Sequence, residues 1–269
     1  MSCIAVILAR AGSKGLPRKN QLPVAGKPCL QWTLEHAFNS PSVERVLLST
    51  DGNELAEIGR AAGAEVVMRP YEFSHDTAPV DGAARHAVTS IIAAHPRVLI
   101  LYGNVPVRPE DLSERALAKL VETGCDSVQS LCPAGKNHPY WMKTLSGAPS
   151  GDPLHGSRDG IPNPTDPGDR LGDWEPNQVY RRQDLPQIYQ LDGGVIAVTR
   201  ESLFTLDPAR PHAFLGNDRR AVLTAPGEVV DIDGPADLLV AEAILTLRQR
   251  TRADAAAGLP ADDGVRVAG

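Results

Sequence analysis

The chain has 269 residues, 42% of them hydrophobic and 22% charged, with a formal net charge of −6. That length suits one large α/β domain, or a main domain with a smaller appendage. The acidic balance argues against a nucleic-acid or anionic-membrane surface, so any polyanionic ligand would need a local cluster of cations.

In chain order, Ile4-Ala5-Val6-Ile7-Leu8 is a continuous apolar run, the pattern of a strand buried on both faces. Pro28 then opens a helix with Leu30, Leu34, Ala37 and Phe38 on one face. Val46-Leu47-Leu48 reads as a strand, Leu55 to Gly63 as a helix ending in glycine, and Glu65 to Met68 as a third strand. Apolar positions from Val80 to Ile92 predict a helix from Pro79 to Ala94. Val98 to Leu101 is again a strand, followed by a helix from Glu110 to Thr123 and a strand over Ser127 to Leu131. Strands separated by helical patterns predict βαβ units and a mainly parallel sheet.

From Ser146 to Asn177 the chain is dense in Gly, Pro and Asp, as expected of a functional insertion or flap. Regular pattern resumes with strands at Leu191 to Val198 and Val229 to Ile232, then a helix from Pro235 to about Arg250 and a flexible tail over 251–269. The four cysteines form no CxxC pair and no zinc-ligand spacing, which suits reduced thiols. Met1 runs almost directly into the first strand, and no apolar run approaches the ~18 residues of a membrane span. A soluble, cytoplasmic protein is expected.

The segment Leu8 to Asn20 lies where the first strand ends, the position at which open α/β sheets bind ligands. Gly12 and Gly15 allow tight turns that aim several N–H groups at one anion. Arg10, Lys14, Arg18 and Lys19 place four cations within ten residues. One opposite charge at 4 Å contributes roughly 4 kcal/mol at an effective dielectric of 20, before desolvation. The spacing matches neither Walker A nor GxGxxG; a solvated basic turn is the alternative. Asp231 and Asp233 stand two apart at a strand end, either sharing a cation or capping the next helix. Arg181, Arg182 and Gln183 suit recognition of a carboxylate, or a charged loop over a sheet edge.

The run Ala9-Arg10-Ala11-Gly12-Ser13-Lys14-Gly15-Leu16-Pro17-Arg18-Lys19-Asn20 resembles the signature of the acylneuraminate cytidylyltransferases, the CMP-sialic acid synthetases with their legionaminic and pseudaminic relatives. Further likeness follows at Ser49-Thr50-Asp51, Arg69-Pro70, Asp76, Asp81, His138 to Lys143, Arg181 to Pro186, and Asp231-Ile232-Asp233. The resemblance implies a three-layer Rossmann-like nucleotidyltransferase fold over residues 1–250. It makes 133–190 an insertion used for dimerisation and acceptor binding. It implies transfer of CMP from CTP to a 2-keto sugar acid, with Mg²⁺ or another divalent cation.

The implied catalytic residues are Arg10, Lys14 and Lys19. Ala9, Arg10, Gly12, Ser13, Lys19, Asn20, Arg69 and Asp76 would bind nucleotide, and Asp231 and Asp233 the metal. Tyr102, Asn104, Arg182, Gln183 and Tyr189 would bind the acceptor. The implied assembly is a cytoplasmic homodimer without nucleic-acid or membrane partners. The chain departs from the family at Leu101-Tyr102-Gly103-Asn104-Val105-Pro106-Val107-Arg108, where relatives carry something like Leu-Gln-Pro-Thr-Ser-Pro-Leu-Arg. That leaves the acceptor open, and with it a nucleotidyltransferase for another sugar or nucleotide. A non-catalytic relative would have lost the loop lysines or the aspartate pair, and both are present.

Overall fold

A computed structural model describes residues 2–13, 15–75, 77–92, 95–142 and 179–257. The chain divides into two compact units, one of residues 1–132 with 191–269 and one of residues 133–190. Lys14, Asp76, Lys143, the stretch Ser146 to Asn177, and 258–269 lie outside the described residues.

The larger unit is built on strands β1 (Cys3–Leu8), β4 (Val43–Thr50), β5 (Glu65–Met68), β6 (Arg97–Tyr102), β7 (Ser127–Pro133), β8 (Tyr189–Thr199) and β9 (Arg219–Leu223). A hairpin of β2 (Pro23–Val24) and β3 (Lys27–Pro28) precedes the first helix. The helices are α1 (Cys29–Phe38), α2 (Asn53–Ala61), α3 (Val80–Thr89), α4 (Leu112–Thr123), the short α5 (Arg200–Leu203) and α6 (Pro235–Ala256). The seven-stranded sheet runs β5-β4-β1-β6-β8-β7-β9. Pairs β4–β5, β1–β4, β1–β6 and β7–β9 are parallel, and β8 is antiparallel to β6. The fold is α/β, as the alternating periods predict.

Alternation along β1 builds both cores. Cys3, Ala5 and Ile7 face one way, into a cluster with Leu30 and Leu34 of α1, Leu55 of α2 and Leu117 of α4. Ile4, Val6 and Leu8 face the other way, against Ala84, Ala87 and Val88 of α3 and against Leu203, Phe214 and Leu215. A central strand buried on both faces must be apolar at every position, which is why β1 and β6 read as continuous runs. Each fully buried Leu or Ile contributes roughly 1.5–3 kcal/mol. Val24, Val107, Val230 and Ile232 form a third cluster with Ala241 and Leu245 of α6.

Several expectations are corrected. Helix α3 stops at Thr89 instead of reaching Ala94: the hydroxyls of Thr89 and Ser90 turn back onto carbonyls of Arg85 and His86, and Ile92 is exposed. Val229 to Ile232 is not a strand; it makes one isolated bridge, Val107 to Val230, and is apolar because it packs under α6. The strand β9 carries no apolar pattern in the sequence, since Val222 alone of its five residues is buried. Helix α6 continues past Arg250 to Ala256.

At the sheet edge, Thr224 N–H reaches back to Leu131 O of β7, so the carbonyls of Ala221 and Leu223 point outward. Lys119 and Arg115 of α4 donate to those two carbonyls. All four cysteines are free thiols, and burial pushes those of Cys3 and Cys29 up to about 12, so both are inert at neutral pH. No helix among the described residues is long and apolar enough to cross a membrane.

Candidate active site

Chain order creates the site. From β1 the chain moves outward to β4 and β5, then returns to β6 on the other side of β1. The β1 and β6 connections therefore leave in opposite directions, and a crevice opens beyond their carboxyl ends. Leu8 and Arg10 follow one strand, Tyr102 and Asn104 the other. A cleft of about 240 Å³ sits there, lined also by Lys19, Asn20 and Arg69.

The loop after β1 is anchored by its backbone. Ala9 N–H donates to Ser49 O at 3.1 Å, and Ala11 N–H to Asp51 Oδ1 at 2.8 Å. Asp51 thus shapes the loop, a role its place after the second predicted strand could have suggested. Arg18 takes a left-handed conformation, φ 58°, and its guanidinium pairs with Glu54 and Gln21. It does not line the cleft. Buried Asn20 donates to Arg10 O at 2.9 Å, while its Oδ1 has no partner. Gly103 permits this close packing: a Cβ there would stand 2.8 Å from Ala9 Cβ and 3.1 Å from Asn20 Oδ1.

Arg69 reaches in from the end of β5. Its Nη2 donates to Ser49 O at 3.0 Å and its Nη1 to Phe73 O at 3.4 Å, but the buried Nε has no partner. Burial lowers its pKa, Asp51 opposes that, and Arg10 adds to it. Two guanidiniums and an ammonium around one cleft, with an unsatisfied buried donor, make a site for an anion with several oxygens.

The aspartates lie beside this cluster. Lys19 Nζ stands 2.6 Å from Asp233 Oδ1, and Asn104 Nδ2 donates to the Asp231 carboxylate. Neither aspartate caps α6: Gly234 is the N-cap residue, and Asp237 accepts from the backbone of Asp233 and Gly234. Burial, then the neighbouring Asp233, lifts the Asp231 carboxyl to about 6, against the pull of Lys19 and Arg108. The unfolded carboxyl titrates near ~3.9. The folded state therefore holds this proton more tightly, and the stability it brings is complete below the unfolded value and lost as pH rises through about 6. Asp231→Asn is expected to be more stable than the parent above that pH by ~1–2 kcal/mol, discounted for partial exposure. Urea unfolding at pH 4 and 7.5 tests this; a pH-independent difference contradicts it.

Among the described residues no group of three or more His, Cys, Asp or Glu side chains could hold a metal ion. Two carboxylates still suit Mg²⁺, which commonly takes one or two from protein and its remaining oxygens from phosphate and water. The Asp231–Asp233 repulsion is what such a cation relieves.

The structure brings Arg10, Lys19, Asn20, Arg69, Tyr102 and Asn104 to one cleft. Ala9 is buried, and neither it nor Gly12 and Ser13 lines that cleft. Asn104 spends its side-chain amide on Asp231 and on Ile232 O at 3.2 Å, a bond the sequence reading missed. Arg182 and Gln183 lie in a short 3₁₀ helix of the smaller unit, and Tyr189 opens β8.

A cytidylyltransferase family profile matches residues 4–138. The CMP-N,N′-diacetyllegionaminic acid synthase of Legionella pneumophila is 28% identical over 261 residues, 93% of this chain and 98% of that protein. The pseudaminic acid cytidylyltransferase of Campylobacter jejuni is 30% identical over 126 residues, 45% of this chain and 54% of that protein. The alignment thus covers about half the length of this second relative. In fold, the chain is similar to a CMP:2-keto-3-deoxy-manno-octonic acid synthetase solved with CTP, with a TM-score of 0.65 and 21% identity over 92% of this chain and 100% of that one.

Proposed function

The chain belongs to the cytidylyltransferase family, and from that premise we propose that it transfers CMP from CTP to a sialic-acid-like 2-keto sugar acid, releasing pyrophosphate. The observation that carries this reading is the cationic cleft at the switch point, where Arg10, Lys19, Asn20 and Arg69 converge beside Asp231 and Asp233. The anomeric hydroxyl attacks the α-phosphorus in line with the departing pyrophosphate. Arg10, Lys19 and Lys14 hold the triphosphate and meet the charge that develops on it. Asn20 and Arg69, with Asp76 and the Gly12-Ser13 backbone, bind the nucleotide. Asp231 and Asp233 would hold Mg²⁺, which when bound adds positive charge against the phosphate oxygens.

Tyr102, Arg182, Gln183 and Tyr189 are the side chains we assign to the acceptor; the guanidinium suits its carboxylate. The same reading makes the protein a cytoplasmic homodimer that binds neither nucleic acid nor membrane, in keeping with its net charge of −6. The test is pyrophosphate release from CTP and Mg²⁺, with N-acetylneuraminate, legionaminate, pseudaminate and the eight-carbon Kdo offered separately. Release with a nine-carbon acid, lost on chelation, is the expected result. Release with none of them, or with UTP as readily as with CTP, overturns the reading.

A further inference from the structure

We propose that Asn104 is a positioning residue: its side-chain amide fixes the Asp231 carboxylate so that one carboxylate oxygen stays turned to the cation accompanying the triphosphate. This rests on the reading of the site given above and goes beyond it, since the family resemblance implies only an acceptor role for Asn104.

Residues 230–232 need such a fastening because no strand ladder holds them. Val230 N–H donates to Val107 O at 3.2 Å and Ile232 N–H to Asn104 O at 2.9 Å. Asn104 then adds its side chain, with Nδ2 donating to Asp231 Oδ1 and to Ile232 O at 3.2 Å. An amide nitrogen carries two hydrogens. Both are committed to the aspartate segment, which leaves only Oδ1 of Asn104 for a ligand. On the far side of the carboxylate stands Gly193, with φ +74°, where even an added Cβ would lie 3.4 Å from Asp231 Oδ2. Glycine, favoured at that φ, sets no side chain of its own against that oxygen.

The two aspartates are held by different chemistry. Lys19 meets Asp233 with a full positive charge at 2.6 Å and cancels much of its field. Asn104 meets Asp231 with a neutral donor, which orients the carboxylate and leaves its charge in place. Of the pair, Asp231 is therefore the one oriented by a neutral donor, the charges of Lys19 and Arg108 acting on it without an ion pair. Supporting hydrogen bonds of this kind are typically worth about 10–100-fold in metal affinity.

The test measures Mn²⁺ binding to the full chain with CTP present, by loss of the free-ion electron paramagnetic signal, alongside steady-state pyrophosphate release. Asn104→Ala is expected to weaken Mn²⁺ binding about tenfold or more and to lower kcat comparably, with KM for the sugar acid within about twofold. Asn104→Ser, which keeps a short donor, is expected to recover part of the loss, and thermal unfolding confirms that both variants fold. Unchanged Mn²⁺ affinity with a raised KM for the sugar acid would overturn the proposal and return Asn104 to the acceptor. Unchanged affinity and kcat with a lowered Tm would also overturn it, leaving Asn104 a chain fastener. If Asp231→Asn binds Mn²⁺ as well as the parent does, the metal assignment itself fails, and the proposal with it.

Discussion

Lys19→Ala is expected to reduce kcat/KM for pyrophosphate release by about 10²–10³-fold, the usual effect of removing one charge-stabilising group from a preorganised site. The side chain is only 15% exposed, so its ammonium acts in a medium of lower dielectric than water. It is held against Asp233 Oδ1 at 2.6 Å by the 3₁₀ helix Lys19–Gln21, so little reorganisation precedes its meeting a phosphate. Deletion acts twice. A cation leaves the cleft, and Asp233 loses its partner and repels the triphosphate alongside Asp231. Lys19→Arg should restore part of the rate, because it keeps the charge but replaces a compact ammonium with a planar fork. Kinetics of both variants, with thermal unfolding as a control for folding, decide the matter. A loss below tenfold in Lys19→Ala would remove this residue from the charge-stabilising set.

The largest expected effect on stability belongs to Arg108. Its side chain is buried, donating to Gly194 O at 2.7 Å, Tyr102 O at 2.9 Å, Thr33 Oγ1 at 2.9 Å and Val105 O. Burial draws its pKa down to about 10, opposed by Cys29, Asp231 and Asp192, so it stays charged at neutral pH. Exchanging a whole buried polar set for apolar groups can be neutral; removing only the donor leaves carbonyls unpaired where water does not replace it. Arg108→Met is thus expected to destabilise the chain by about 3–5 kcal/mol, or roughly 10 °C in Tm. Denaturant unfolding and calorimetry measure both. A loss under about 1 kcal/mol would mean the Tyr102–Val105 turn holds itself without the guanidinium.

Those two residues also mark what the sequence makes legible. Lys19 sits in a dense local cluster after an apolar strand, and local density survives in a linear reading. Arg108 reads there only as part of a Pro-Val-Arg frame, because its acceptors come from segments as distant as Gly194. The doubly buried strands β1 and β6 are plain as apolar runs. The edge strand β9, Arg-Arg-Ala-Val-Leu, is hidden because solvent excuses it from being apolar. The stretch Val229 to Ile232 misleads for the opposite reason: α6 buries it as a strand would be buried, without a ladder. Arg10, Lys19, Asn20 and Arg69 come together because strand ends gather at the switch point whatever the loop details. The Asn104–Asp231 bond spans 127 positions, and an asparagine in a loop carries no mark of which partner it has chosen.

Lys119 and Arg115 on the rim of the sheet bear on how copies of this chain can meet. A bare outer strand is a template onto which another strand can be added, and that route leads to uncontrolled polymerisation. Here two of the outward carbonyls of β9, those of Ala221 and Leu223, are already bonded to cations rooted in α4. An incoming strand must first strip away two charge-assisted bonds, each worth roughly 1.5–3 kcal/mol. Strand addition along this part of the border is thereby disfavoured.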